Sequence, residues 1–238
     1  MANLYGPRIV TDGLACCLDA SNLKSYAGGT VWKDISGNNR DFTFSATPSS
    51  TNNYIQFNAA TTASGPASNS FGINNTSGYT IFAIHYQQLT TGTGGTLLRF
   101  WRDGSGGTAR GISIHPGWGN NTIFFDQAGC CAGGSQRINW GTTSSELMNR
   151  WTITTIISRN SSYRGIFFGN SSNNAERAFT TSTSASLDLN SSNVTLGYIA
   201  SDGYSYVGYI NYVAIYNRGL SYSEYLQTYN ALKGRFGL

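Results

Sequence analysis

Tyr206-Val207-Gly208-Tyr209-Ile210-Asn211-Tyr212-Val213-Ala214-Ile215-Tyr216, followed at once by Asn217-Arg218-Gly219-Leu220-Ser221-Tyr222-Ser223-Glu224, decides the fold class. The first run is rich in β-branched and aromatic residues and shows no helical period, so it reads as a strand. The second run opens a helix. Ser221 and Glu224 stand at capping-box spacing behind Leu220, and Tyr225, Leu226, Tyr229 and Leu232 form one apolar stripe that ends near Gly234. The spacing predicts a helix over Tyr222 to Leu232.

Upstream the chain repeats the first pattern and not the second. Short apolar or alternating runs predict strands at Gly13 to Asp19, Asp41 to Phe44, Asn53 to Asn58, Tyr79 to Tyr86, Gly95 to Trp101 and Arg110 to His115. Further strands are expected at Asn121 to Asp126, Gln136 to Trp140, Trp151 to Ser158, Tyr163 to Phe168 and Asn193 to Tyr198. Asp12-Gly13, Ser36-Gly37, Asp103-Gly104 and Asp202-Gly203 supply turn residues between them. Thr47 to Asn53 and Thr61 to Gly78 are polar and aperiodic, so they read as long surface loops. Many short strands with one terminal helix predict an all-β protein, a two-sheet antiparallel β-sandwich with one short C-terminal helix. No Pro-rich or charged linker divides the 238 residues, so one domain is expected over 1–238.

Composition excludes several classes. Aromatic residues make up 13% and the net charge is only +4, so the chain can fill a core and is not a disordered one. Its 15 basic residues are scattered, with no stripe to follow a phosphate backbone, so nucleic acid is not an expected partner. The apolar runs are strand-sized, which argues against membrane insertion, and no basic segment with an apolar run behind it marks a secretory leader. Synthesis in the cytosol is therefore expected. Cys16-Cys17 and Cys130-Cys131 are adjacent pairs without metal-ligand spacing, so neither zinc nor any other metal is expected. Strand neighbours point to opposite faces, so at most one member of each pair meets a given partner. Either one bridge joins the pairs, or all four are small reduced hydrophobes.

Catalytic patterns are absent. A sandwich glycosidase holds two carboxylates across the scissile bond, commonly at i and i+2 or i+4 of one strand, and no such pair occurs among Glu146, Glu176, Glu224 and the aspartates. Gly104-Ser105-Gly106 lacks the nucleophile-elbow pattern, and the Gly-rich segments lack the Gly-Lys-Ser/Thr of a phosphate loop. No enzymatic role and no cofactor are expected. Aromatics beside turns point instead to binding. Trp101, Trp118, Trp140, Tyr204 and Tyr206 lie where loops are presented, and an aromatic ring can stack on the apolar face of a sugar or anchor a protein contact. Trp32 and Trp151 are expected in the core.

The order of segments carries a resemblance. Gly13 to Asn22 followed by Val31-Trp32-Lys33-Asp34-Ile35-Ser36-Gly37-Asn38 looks like the start of a laminin-G-like, concanavalin A-like jelly-roll domain. Tyr54 to Asn58, Tyr79 to Ala83, Trp151 to Thr154 and Tyr163 to Asn170 continue the match in order, and Gly208 to Ser221 resembles the closing strand and helix start. The ending Glu224 to Leu238 is similar to the versions carried by virion proteins of tailed bacteriophages. This resemblance implies a structural protein of the virion, a capsid decoration or a head-fibre or appendage component. Its partners would be capsid or other virion proteins, sister copies in a homo-oligomer, and host cell-surface glycans. The alternatives are a lectin-like carbohydrate-binding module or a tail-fibre receptor-binding protein, and more remotely a glycoside hydrolase. The Glu-x-Asp-x-Glu motif of glucan-cleaving members is absent, and no set matching the family's calcium ligands is placed here.

Overall fold

The computed structural model describes residues 8–51, 53–88, 95–104, 106–118, 121–130, 137–160, 162–181, 187–199 and 204–238. Their strands form two eight-stranded sheets, antiparallel throughout, and a two-stranded hairpin. The first sheet runs β14 (Asn174–Thr180), β13 (Tyr163–Gly169), β12 (Trp151–Arg159), β7 (Tyr79–Gln87), β18 (Gly208–Tyr216), β5 (Tyr54–Phe57) and β4 (Ser50–Thr51), with β1 (Leu14–Asp19) also on β18. The second runs β11 (Arg137–Gly141), β10 (Thr122–Gln127), β9 (Arg110–His115), β8 (Leu98–Trp101), β15 (Asn193–Leu196), β6 (Ala63–Ala67), β3 (Phe42–Phe44) and β2 (Val31–Trp32). The hairpin pairs β16 (Tyr198–Ile199) with β17 (Tyr204–Ser205). Helix α1 (Ser144–Leu147) is a single turn, and α2 (Tyr222–Leu232) matches the expected helix residue for residue.

Two apolar layers hold this arrangement. Along β18, Ile210, Val213 and Ile215 enter the core between the sheets, where Trp32, Phe57, Phe100 and Phe125 also lie. The opposite face of the same strand packs Tyr212, Ala214 and Tyr216 under α2 with Tyr225, Tyr229 and Leu232. Burial on both faces explains why β18 reads as an almost unbroken apolar run. The N-terminus of α2 is fixed as its sequence foretells. Glu224 N–H donates to Ser221 Oγ, Ser221 N–H donates to the Glu224 carboxylate, and Leu220 joins Tyr225 in the layer beneath. Arg218 adds two bonds to Glu224, at 3.0 and 2.6 Å.

Five strands lie outside the expected set. β6 falls inside the segment expected as the loop Thr61 to Gly78, because its Gly65 and Pro66 mask the alternation. The sequence needs glycine there: a Cβ on Gly65 would stand 2.4 Å from Cζ of the Phe42 ring. β14 is a polar edge strand carrying Glu176 and Arg177, a composition that protects an edge and hides a strand from propensity. β2, β4 and β17 are two residues each, too short to show a period, and β4 falls inside the segment expected as the loop Thr47 to Asn53.

The cysteine expectation is corrected in part. Cys16 points into the inter-sheet core and Cys17 under α2, and both are free, so no bridge joins them to the distant pair. Cys130 is disulfide-bonded, which excludes the reading of four reduced thiols, and Cys131 lies outside the described residues.

Candidate functional site

Helix α2 covers only part of the outer face of the first sheet. Beyond its C-terminal end that face is paved with partly exposed rings: Trp151 on β12, Tyr86 on β7, Tyr209 on β18 and Tyr54 on β5. The pairing register sets the first three in a row, with Trp151 opposite Tyr86 and Tyr86 opposite Tyr209. Ring centroids lie 5.8 Å apart for Trp151 and Tyr86, 5.5 Å for Tyr86 and Tyr209, 4.5 Å for Tyr54 and Tyr209, and 5.9 Å for Tyr54 and Trp151. Phe236, just past the helix, adds a ring 5.0 Å from Trp151.

Local backbone features aim these rings. Gly208, at φ 152°, draws β18 so close to β7 that a Cβ would lie 2.1 Å from the Tyr86 carbonyl oxygen. At Asn211 the register shifts between Ile210 and Tyr212, so Tyr209 and Tyr212 share the outer face although they stand three positions apart. The buried Asn211 amide donates to Ser21 Oγ at 2.7 Å and to the Asn53 carbonyl, which ties two loops beside the rings.

Those loops and the chain end enclose a cavity of about 490 Å³ lined by Ser21, Asn53, Tyr54, Trp151, Arg235 and Phe236. Arg235 donates to Asp19 from both terminal nitrogens, at 3.0 and 2.7 Å. The Gln88 amide donates to the Tyr209 hydroxyl at 3.3 Å. Flat apolar rings therefore meet a wall of hydroxyl and amide groups in a volume of small-ligand size. Such a surface suits a ligand with one apolar face and a polar rim.

The residues singled out in the sequence do not assemble into one site. Trp101 and Trp118 lie toward the outer face of the second sheet, near opposite ends of the β8–β9 pair; the Arg99 guanidinium stacks 4.9 Å from the Trp101 ring, and Trp118 meets His115 edge-on at 5.1 Å. Trp140 turns inward and packs on Phe168 at 5.1 Å. Tyr206 is fully buried and its hydroxyl pairs with His85 Nδ1 at 3.1 Å, so it presents nothing to a surface ligand. The Tyr204 side chain lies outside the described residues. Trp32 is fully buried as expected, whereas Trp151 meets the expectation in part: it packs against the layer under α2 but keeps some of its surface exposed in the ring cluster.

Between Trp101 and Trp118 runs a buried polar network. Asp126 receives Arg110 at 2.7 Å, Arg137 at 2.5 and 2.9 Å, and His115 Nε2 at 3.2 Å, while His115 Nδ1 meets Thr96 Oγ1 at 3.0 Å. Burial alone would raise the Asp126 pKa, but hydrogen bonds from Arg137 and His115 hold it well below the usual carboxylate range. Burial keeps His115 below its usual range as well. The Thr–His–Asp chain has the order of a nucleophile relay, yet Thr96 is 1% exposed and His115 and Asp126 are fully buried. A substrate has no access to it, and it acts as structural wiring between β9, β10 and β11. Among the described residues no three His, Cys, Asp or Glu side chains converge to hold a metal ion.

No protein-family model matches the chain, and no curated protein matches it in sequence. Similar solved structures do exist. Trypanosoma rangeli sialidase in complex with sialic acid superposes with TM-score 0.67 at 15% identity, over 98% of this chain and 36% of that one. The binding domain of botulinum neurotoxin serotype D/C VPI 5993 gives 0.68 at 16% identity, over 93% and 53%. The binding domain of botulinum neurotoxin DC in complex with SialylT gives 0.66 at 13%, over 93% and 52%. The chain thus spans between a third and about half of these longer chains, and the likeness establishes the β-sandwich fold.

Proposed function

We propose that this chain is a non-enzymatic glycan-binding β-sandwich whose contact surface is the cluster of Tyr54, Tyr86, Trp151 and Tyr209 with the polar wall of Ser21 and Asn53. The observation that carries the reading is the row of partly exposed rings bordering a polar cavity of about 490 Å³. A pyranose has a face of C–H groups and a rim of hydroxyls. The rings desolvate the face, and the Ser21 hydroxyl, the Asn53 amide and the tyrosine hydroxyls pair with the rim. Among the structural relatives, one is described in complex with sialic acid and another with SialylT. The absence of catalysis in this reading is supported by where the carboxylates are held: Asp19 on Arg235, Asp126 on Arg110 and Arg137, Glu224 on Arg218, and Asp34 on the backbone of Cys17, Ser36 and Arg40.

The proposed place of action is the outside of a tailed-bacteriophage particle, as a laminin-G-like capsid decoration, head-fibre or appendage component. The support is the resemblance of Gly13 to Asn22 and Gly208 to Ser221 to a laminin-G-like domain, and of Glu224 to Leu238 to the versions of it carried by such virion proteins. Many copies on one particle would raise a weak single-site affinity by on the order of 10² to 10⁴ through avidity. The test is a glycan array probed with the wild-type chain and with Trp151→Ala, alongside immunogold labelling of purified particles. Signals on defined glycans that vanish in the variant are expected, with label over the particle surface. An array on which both proteins give the same signals, or none, contradicts the glycan reading, and unlabelled particles contradict the virion address.

A further inference from the structure

We infer that the cavity beside Trp151 takes a neutral pyranose and rejects a sugar acid, an inference that rests on the glycan-binding reading above. Its basis is charge. Among the described residues lining the cavity, Arg235 is the one charged side chain. Each of its terminal nitrogens gives one N–H to Asp19, Nη1 to Oδ2 at 3.0 Å and Nη2 to Oδ1 at 2.7 Å, so the two residues form an ion pair with no net charge. This fork-to-fork geometry is the one by which a guanidinium recognises a carboxylate, and here the protein's own carboxylate fills it. Asp19 Oδ1 also accepts from the Ser21 N–H at 3.0 Å, and Asp19 is itself buried.

An incoming sugar carboxylate would therefore meet a cation whose charge is already balanced, with a like charge behind it. To take over the two-pronged contact with Arg235 it would have to strand Asp19 without a counter-ion in a buried position, a costly exchange. Besides that neutral ion pair the cavity offers a ligand uncharged groups: the Ser21 hydroxyl, Asn53, the Tyr54 hydroxyl, and the ring faces of Trp151, Tyr54 and Phe236. These groups match a ring bearing hydroxyl or hydroxymethyl substituents. Sialic acid, seen with one of the structural relatives, carries a carboxylate and belongs to the rejected class.

Matched pairs of sugars test this with the full chain. Methyl glucoside, galactoside and mannoside are titrated calorimetrically against the corresponding glucuronide, galacturonide and mannuronide, at about 50 and 500 mM NaCl, where screening of exposed charge differs several-fold. At least one neutral glycoside should bind about ten-fold more tightly than its uronate, with less than about a two-fold change between the two salts. A uronate that binds as tightly as its neutral partner, or more tightly, overturns the inference and leaves glycan binding standing. No heat from any sugar overturns the glycan reading itself. In Asp19→Asn the released guanidinium should move the preference toward the uronate by about five-fold or more. An unchanged preference overturns the role given to the ion pair.

Discussion

Trp151 and Tyr86 sit directly opposite one another on β12 and β7, their ring centroids 5.8 Å apart and their planes at 68°, and both keep part of their surface in solvent. Phe236 and Tyr54 flank Trp151, and Tyr209 flanks Tyr86, so the pair stands at the centre of a partly exposed aromatic surface on the sheet.

That exposure separates binding from stability. Trp151→Ala removes a ring already partly in water, so its cost should fall well below the roughly 3 to 5 kcal/mol of a fully buried aromatic-to-alanine change, near 1 to 2. Tyr206→Ala, at a fully buried position bonded to His85, should cost the full amount and leave an unpaired imidazole. Urea unfolding of the two variants measures both. Equal losses would place Trp151 in the core.

Acid sensitivity is built into the inter-sheet core. Burial lowers the His85 pKa to about 3, with Nδ1 on Tyr206 and Nε2 on Thr154 at 2.9 Å. In the unfolded chain the imidazole titrates near 6.5. Between pH 6.5 and about 3 the unfolded chain takes up a proton that the folded one refuses, so His85 contributes fully above pH 6.5 and its contribution is lost as pH falls. At about 1.4 kcal/mol per pH unit, His85 alone should lower stability by about 2 kcal/mol between pH 7 and pH 5. His115, depressed by burial, acts in the same direction. Denaturant midpoints across that range should fall steadily. A flat profile would contradict a neutral buried His85.

Thiol chemistry should report unfolding. Burial raises the Cys17 pKa to about 12, against a partial counter-effect from the Tyr212 hydroxyl, and burial likewise raises Cys16. A thiol so rarely ionised and without access to reagent is inert. Neither cysteine should react with a disulfide reagent at pH 8 until the chain unfolds, which peptide mapping of labelled protein resolves. Rapid native labelling of Cys17 would contradict its place beneath α2.

Much of the scaffold was legible in the residues. The capping box Ser221–Glu224, the stripe of Tyr225, Tyr229 and Leu232, and the runs around Tyr79, Trp151 and Gly208 each carry their own local signal, and the structure follows them closely. β6 was hidden by Gly65 and Pro66, and β14 by the charge that guards an edge. The site was far less legible, because proximity to a turn is a poor guide to exposure. Tyr206 follows the turn-type residues Asp202-Gly203 in the sequence and is buried, while Trp151 opens a strand and is partly exposed. What places Trp151, Tyr86 and Tyr209 side by side is the register of three strands distant in sequence, together with a bulge at Asn211 that shifts the alternation by one residue. What leaves them partly exposed is that α2 ends at Leu232, and past it Phe236 reaches Trp151. The alternation of β7 does put Tyr86 on the same face as Phe82 and Ile84, and that phase was the signal available.

The most direct test of the aromatic cluster as the sugar surface is an NMR titration of chain labelled with ¹⁵N at its indoles, using the neutral methyl glycosides. The Trp151 resonance should shift and saturate, while those of Trp32, Trp101, Trp118 and Trp140 stay in place. A sugar that shifts Trp101 or Trp118 and leaves Trp151 unmoved would contradict the account and return the site to the second sheet.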